Sequence, residues 1–274
     1  MDLNDGRAVT SQNFIREPAF ADKSGRMGGT GGVAFLRRLQ NLTSYLSVAR
    51  LTAALGLLTS EARQRWVLTI GSPRLSNISL EETFPWFAFQ SIEYLESLIK
   101  RDMTVIEYGS GYSTIWWSSR VSEVITVERT KAWSLEVTAA LAKHKLKNVT
   151  LVTFEKFPDV SEEQLELQKT SMKSLIDEYI ACPLMTKRQC DIVVVDDVLR
   201  NDVLKAAADF LKPGGLMILD DSERARHKPV MEWLRQSGWS SASFFGSAPY
   251  HFHEKQTSIW FKPTISVASN KPMP

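Results

Sequence analysis

From Val33 to about Trp66 the apolar residues Phe35, Leu36, Leu39, Leu42, Leu46 and Ala49 recur at three- and four-residue steps, with Arg37, Arg38 and Gln40 off that stripe. A second such stretch passes through Ala53, Leu57 and Leu58, so a pair of helices is predicted there. Another helix is expected from about Ala88 to Lys100, and beyond it the pattern changes. Short apolar runs at Thr104–Tyr108, Glu123–Glu128, Val149–Phe154, Asp191–Val195 and Leu216–Leu219 read as strands. Between them lie helical stretches at Ser113–Arg120, Lys131–His144, about Ser161 to Ile180, and Asp202–Leu211. Lys212-Pro213-Gly214-Gly215 reads as a turn, and Ala242–Phe245 with Thr257–Phe261 as a closing pair of strands. Strands that are apolar almost throughout and alternate with helices predict a mainly parallel sheet covered on both faces.

Residues 1–32 are polar, lack periodicity and end in a Gly-rich run, which predicts a flexible tail. The chain then divides into a helical extension (33–79), a main domain (80–264) and a polar C-terminal tail (265–274). The longest apolar stretch, Leu51 to Leu58, falls far below the ~18 residues of a membrane span. Three arginines near 33–58 leave only peripheral membrane contact as an alternative use of those helices. The N-terminus has no secretory pattern. Two cysteines, Cys182 and Cys190, fit a reduced cytoplasm better than a disulfide framework. With 33 Lys and Arg against 31 Asp and Glu, the net charge of +2 argues against a nucleic-acid partner.

The chemistry concentrates at the ends of strands. Val105-Ile106-Glu107-Tyr108-Gly109-Ser110-Gly111-Tyr112-Ser113-Thr114 delivers a carboxylate, then two glycines, then a helix N-terminus with unsatisfied N–H groups. A dinucleotide fingerprint wants a third glycine where Thr114 stands, and Glu107 would repel a pyrophosphate while suiting a cationic amino group. Glu128, which ends the second strand 17 residues beyond Gly111, is placed to accept from ribose hydroxyls. Asp196 and Asp197 end the fourth strand and Asp220 and Asp221 the fifth. Asp196, Asp220 and Asp221 form an alternative Mg²⁺ site, against the simpler reading that they cap helices or meet solvent.

These stretches, with Pro85-Trp86, Trp116-Trp117, Arg200, Leu211-Lys212-Pro213-Gly214-Gly215 and Leu219-Asp220-Asp221-Ser222-Glu223-Arg224, resemble a class I S-adenosylmethionine-dependent methyltransferase over about two thirds of the chain. The similarity is greatest to a bacterial branch associated with glycan or secondary-metabolite genes. It implies an α/β, Rossmann-like doubly wound sheet with an N-terminal helical extension. It also implies that Glu107, Gly109, Ser110, Gly111 and Ser113 hold the methionine end of S-adenosylmethionine, that Glu128 holds its ribose, and that Asp196 faces the transfer site. Asp197 and Asp221 depart from that branch, which usually has Gly and Asn there. The function implied is O-methylation of a small-molecule or glycan hydroxyl. Asp196 and His227 are the catalytic candidates, with His251 and His253 in a loop able to close over the acceptor. The competing readings are a catalytically inactive binding scaffold and an NAD-dependent oxidoreductase. The acceptor's identity and the oligomeric state are left open.

Overall fold

The structure, a computed structural model, describes residues 79–157, 162–185, 189–251 and 254–264. The expected tails, the helical extension up to residue 78, and His253 lie outside the described residues. Seven strands form one sheet: β1 (Thr104–Tyr108), β2 (Glu123–Glu128), β3 (Val149–Thr153), β4 (Cys190–Val195), β5 (Leu211–Leu219), β6 (Ser240–Gly246) and β7 (Lys255–Phe261). Their order is β3-β2-β1-β4-β5-β7-β6. The first five are mutually parallel, and β7 runs antiparallel between β5 and β6. The fold is α/β and Rossmann-like.

Helices cover both faces. They are α1 (Phe89–Leu98), α2 (Tyr112–Ser118), α3 (Lys131–Lys143), α4 (Glu162–Leu167), α5 (Lys173–Ala181), α6 (Arg200–Phe210) and α7 (Lys228–Gln236). Because side chains alternate along a strand, each apolar strand feeds two cores. Ile106, Ile125, Val193 and Met217 pack with Val203 and Leu204 of α6 and Leu234 of α7. Val105, Val124, Ile192 and Ile218 pack with Leu95 of α1 and with Trp116 and Trp117 of α2. The two tryptophans are fully buried core residues.

Register is what positions the strand ends. Tyr108 pairs with Val127 and Val195, and Val195 with Leu219, so four strands finish in one row. The next residue of each, Gly109, Glu128, Asp196 and Asp220, therefore lies along the same edge. Backbone hydrogen bonds from Gly109 N to Val127 O (2.9 Å) and from Asp196 N to Tyr108 O (3.0 Å) carry the ladder one step further. Strand order reverses between β1 and β4, and a crevice at the carboxyl ends of such a pair is where α/β sheets bind ligands.

Three elements differ from the sequence expectation. The long helix over 161–180 is two, α4 and α5, broken where Thr170 and Ser171 offer poor helix formers and the Ser171 hydroxyl donates back to Gln168 O. β5 starts at Leu211, so Pro213 and Gly214 lie inside the strand rather than before it. The pairing with β4 shifts register between Cys190 and Ile192, which accommodates them. Helix α7 was not among the predicted elements. Its Pro229 occupies the first turn, where the missing N–H costs nothing, and Val230, Met231 and Leu234 bury the apolar face.

Trp116→Ala is expected to lower stability by roughly 3–5 kcal/mol, the usual cost of emptying a fully buried aromatic site. Denaturant unfolding measures it, and a change under about 1 kcal/mol would mean that the α2 face is not core.

Candidate functional site

Glu107 stands on β1, facing α2, with no exposed surface. Its Oε2 accepts from the Thr114 and Thr126 hydroxyls, the latter at 2.8 Å. Thr114 Oγ1 in turn accepts from Gly111 N at 2.9 Å. The residue standing in place of a third glycine thus locks the turn to the strand carboxylate. Glu107 Oε1 is buried and has no partner at hydrogen-bonding geometry, although the Ser113 hydroxyl is close enough to favour its ionised form. Burial pushes the Glu107 pKa up to about 7 against the hydroxyls of Ser113, Thr114 and Thr126, which lower it.

The two glycines serve different ends. Gly109 has φ +95°, and a Cβ there would lie 2.5 Å from the carbonyl oxygen of Asp196. Its constraint is the close approach of β1 to β4, not approach to a ligand. A Cβ on Gly111 would meet only the Trp133 ring, at 3.7 Å, so that position faces open space.

That space is a cavity of about 30 Å³ floored by residues 109–113, walled by Trp86, Tyr112 and Trp133, and bordered by Asp196. The walls are held from outside. Trp86 stacks on Tyr112 at 6.0 Å, Tyr112 packs on Tyr250 at 4.5 Å, and His251 meets Trp86 edge-on at 4.8 Å. Trp133 Nε1 donates to Ser110 O at 2.6 Å. The loop carrying Tyr250 and His251 therefore lies against the cavity wall.

Glu128 is buried too. Its Oε2 accepts from Ser110 Oγ at 3.1 Å and its Oε1 from Thr130 N at 2.8 Å, so the β2 carboxylate is tied to the glycine turn. Asp197 caps no helix: it pairs with Arg129 Nε (3.2 Å) and accepts from Tyr179 Oη (2.8 Å). Asp196, Asp220 and Asp221 do converge, with one oxygen of each within 4.8 Å of the others. However, cations already stand among them. Arg200 binds Asp196 Oδ1 (2.9 Å) and Asp221 Oδ2 (3.2 Å). Arg224 binds Asp221 Oδ2 (2.7 Å), and Lys255 bridges Asp220 and Asp221. Burial works against ionising Asp221, yet the Arg200, Lys255 and Arg224 charges hold its pKa far below the usual carboxylate range. The cluster does not fit Mg²⁺, because protein cations neutralise the carboxylates a metal would need.

His227 is corrected as a catalytic candidate. It is 1% exposed, is not among the cavity-lining residues, and its Nδ1 shares a hydrogen bond with Asn201 Oδ1 at 2.8 Å. Burial, then Arg200, Arg226 and Arg224, lower its pKa to about 3, so it is too weak a base for proton abstraction. Of the sequence candidates, Gly109, Ser110, Gly111, Ser113 and Asp196 meet at the cavity, while Glu107 and Glu128 stand behind the turn. Trp133, Thr114 and Lys255 were missed. The one available signal was a lysine two residues ahead of the predicted last strand, Thr257–Phe261.

Gly109→Ala is expected to destabilise the fold by about 1–3 kcal/mol through backbone strain alone, with the Asp196 contact adding to it. Gly111→Ala leaves stability nearly unchanged. Thermal melts of the two variants compare them, and equal shifts would contradict the separate roles.

No known family model matches the sequence, and no curated protein matches it. Among solved structures, the chain is similar to a precorrin-6y C5,15-methyltransferase from Geobacter metallireducens GS-15, with 14% identity, 63% of this chain and 88% of that one covered, and a TM-score of 0.44. A methyltransferase from Pyrococcus furiosus gives 14% identity, 64% and 82% coverage, and a TM-score of 0.44. M. jannaschii TYW2 in complex with AdoMet gives 12% identity, 65% and 76% coverage, and a TM-score of 0.41. At these values the likeness is one of fold alone.

Proposed function

We propose that this protein binds S-adenosylmethionine at the β1 turn and transfers its methyl group to a hydroxyl of a small molecule or sugar. Glu107 carries the reading. It is a fully buried carboxylate with one oxygen engaged by two threonines and the other lacking a partner, beside a glycine turn. A buried orphan acceptor calls for a donor, and an ammonium group both donates to it and stabilises its charge. The rings of Trp86, Tyr112 and Trp133 around the cavity suit a sulfonium, since aromatic faces attract cations. A pyrophosphate, by contrast, would meet Glu107 and Asp196 as like charges.

In this reading Glu107, Gly109, Ser110, Gly111 and Ser113 hold the methionine end. Glu128 holds the ribose by exchanging the Ser110 hydroxyl for ribose hydroxyls. The bound cofactor supplies a methyl group already electrophilic on sulfur. What remains for the chain is alignment and removal of the acceptor's proton. Asp196 borders the cavity and is held in place through Oδ1 by Arg200, which makes it the residue to position the hydroxyl or accept its proton. A cavity of about 30 Å³ admits roughly one water, so the aromatic walls part when the cofactor enters.

Calorimetric titration with S-adenosylmethionine and S-adenosylhomocysteine tests the reading. Saturable micromolar binding is expected, and no binding of either by folded protein overturns it. Because Glu107 must ionise to meet an ammonium, affinity should rise as pH increases through about 7. Glu107→Gln should weaken binding roughly 10- to 100-fold and remove that pH dependence. The sign reverses for stability without ligand. Glu107 favours the native state fully below its ordinary 4.5, and that contribution is lost as pH rises through about 7, so Glu107→Gln should be no less stable than the parent above pH 7. Asp196→Asn should lower turnover by about 10²–10⁴-fold while the protein still binds the cofactor. Binding without turnover on a panel of hydroxyl acceptors would favour the scaffold reading.

A further inference from the structure

The carboxylate cluster at the ends of β4 and β5 has the spacing of a hard-cation site, with oxygens of Asp196, Asp220 and Asp221 within 4.8 Å of one another. The cation at its centre belongs to the chain. Lys255, the first residue of β7, has a side chain only 3% exposed, and its ammonium pairs with Asp220 Oδ2 and with Asp221 Oδ1 at 2.7 Å. We infer that Lys255 is a built-in cation standing where a divalent ion would otherwise sit, so that this cluster neither binds nor responds to divalent metal. The inference rests on the charge cluster alone and holds whether or not the glycine turn takes S-adenosylmethionine.

Charge and valence both support it. Lys255, Arg200 and Arg224 set three positive charges against three carboxylates, and burial pushes the Asp220 pKa up to about 7 against the Lys255 charge. A divalent ion would therefore enter a cluster with no excess negative charge and be repelled by the cations already in contact. Five of the six carboxylate oxygens are also engaged. Asp220 Oδ1 accepts from Thr257 Oγ1 at 2.8 Å, Asp220 Oδ2 from Lys255, Asp221 Oδ1 from Lys255, Asp221 Oδ2 from Arg200 and Arg224, and Asp196 Oδ1 from Arg200. A magnesium or manganese ion binds only by displacing an ammonium that is tethered, and so effectively present at very high local concentration. The tether has a second consequence. Lys255 pairs with Gly246 across the β6–β7 hairpin, so its ion pairs fix the base of the loop that carries Tyr250 and His251 against the cavity.

The test is titration of the full chain with Mn²⁺ and Ca²⁺, by calorimetry and by thermal melting with and without EDTA. For the parent protein no saturable binding and no change of melting temperature are expected. Lys255→Ala leaves the carboxylates in excess. It should melt roughly ten degrees lower and acquire Mn²⁺ binding that restores part of the loss, an effect abolished by adding Asp221→Asn. Lys255→Arg should keep the indifference to metal. Stoichiometric Mn²⁺ binding by the parent, lost in Asp221→Asn, overturns the inference. So does a folded Lys255→Ala protein that ignores both ions. Should Lys255→Ala fail to fold, the parent and Lys255→Arg titrations still decide it.

Discussion

Two buried carboxylates, Asp220 and Asp221, and the partly exposed Asp196 meet where β4 and β5 end, and three cations pair with them. Removing charges from water costs several kcal/mol each, and only close pairing with full hydrogen bonding offsets that cost. Arg200 is central. Its Nε donates to Asp197 O at 2.8 Å, and its other nitrogens reach Asp196, Asp221 and the backbone of Asp220. One planar guanidinium thus ties two adjacent strand ends, a task that a lysine's point charge performs poorly. Lys255 adds the third strand, β7, to the same cluster.

From this clamp the geometry of the cavity follows. With β4 held in place, β1 must approach it closely, and Gly109 alone permits this because any Cβ would strike the Asp196 carbonyl. The close approach sets the direction of the turn, the turn places Ser113 and Thr114, and Thr114 locks the buried Glu107 to Gly111 N. The chain reaches the cavity with one orphan carboxylate oxygen behind the turn and aromatic rings in front of it. Both features favour a small cationic ligand, as the proposed sulfonium cofactor is.

Much of the fold was legible because its strands are buried on both faces. A run such as Asp191–Val195 has no polar face and admits few alternatives, and β2 lies where its apolar run predicted. The elements misread are those in which one residue type has two uses. Pro213 and Gly214 read as a turn and lie in a register-shifted strand. Ser171 competes with the helix backbone and splits a stretch that periodicity alone would join.

At the site, the division follows sequence distance. Glu107, Gly109, Gly111 and Ser113 are neighbours along the chain, so their local pattern already specified a carboxylate, a tight turn and a helix start. What each contact achieves depended on partners far away. Gly109 answers to Asp196, the wall residue Trp133 to Ser110, and Asp220 to Lys255, 35 residues on. His227 is a base by composition and an inert packing residue by burial. The sequence by itself determined an α/β sheet whose first strand ends in a carboxylate, a glycine turn and a helix start. Only the tertiary structure decided which charges meet, because ionisation and metal affinity depend on through-space neighbours brought together by strand order and register.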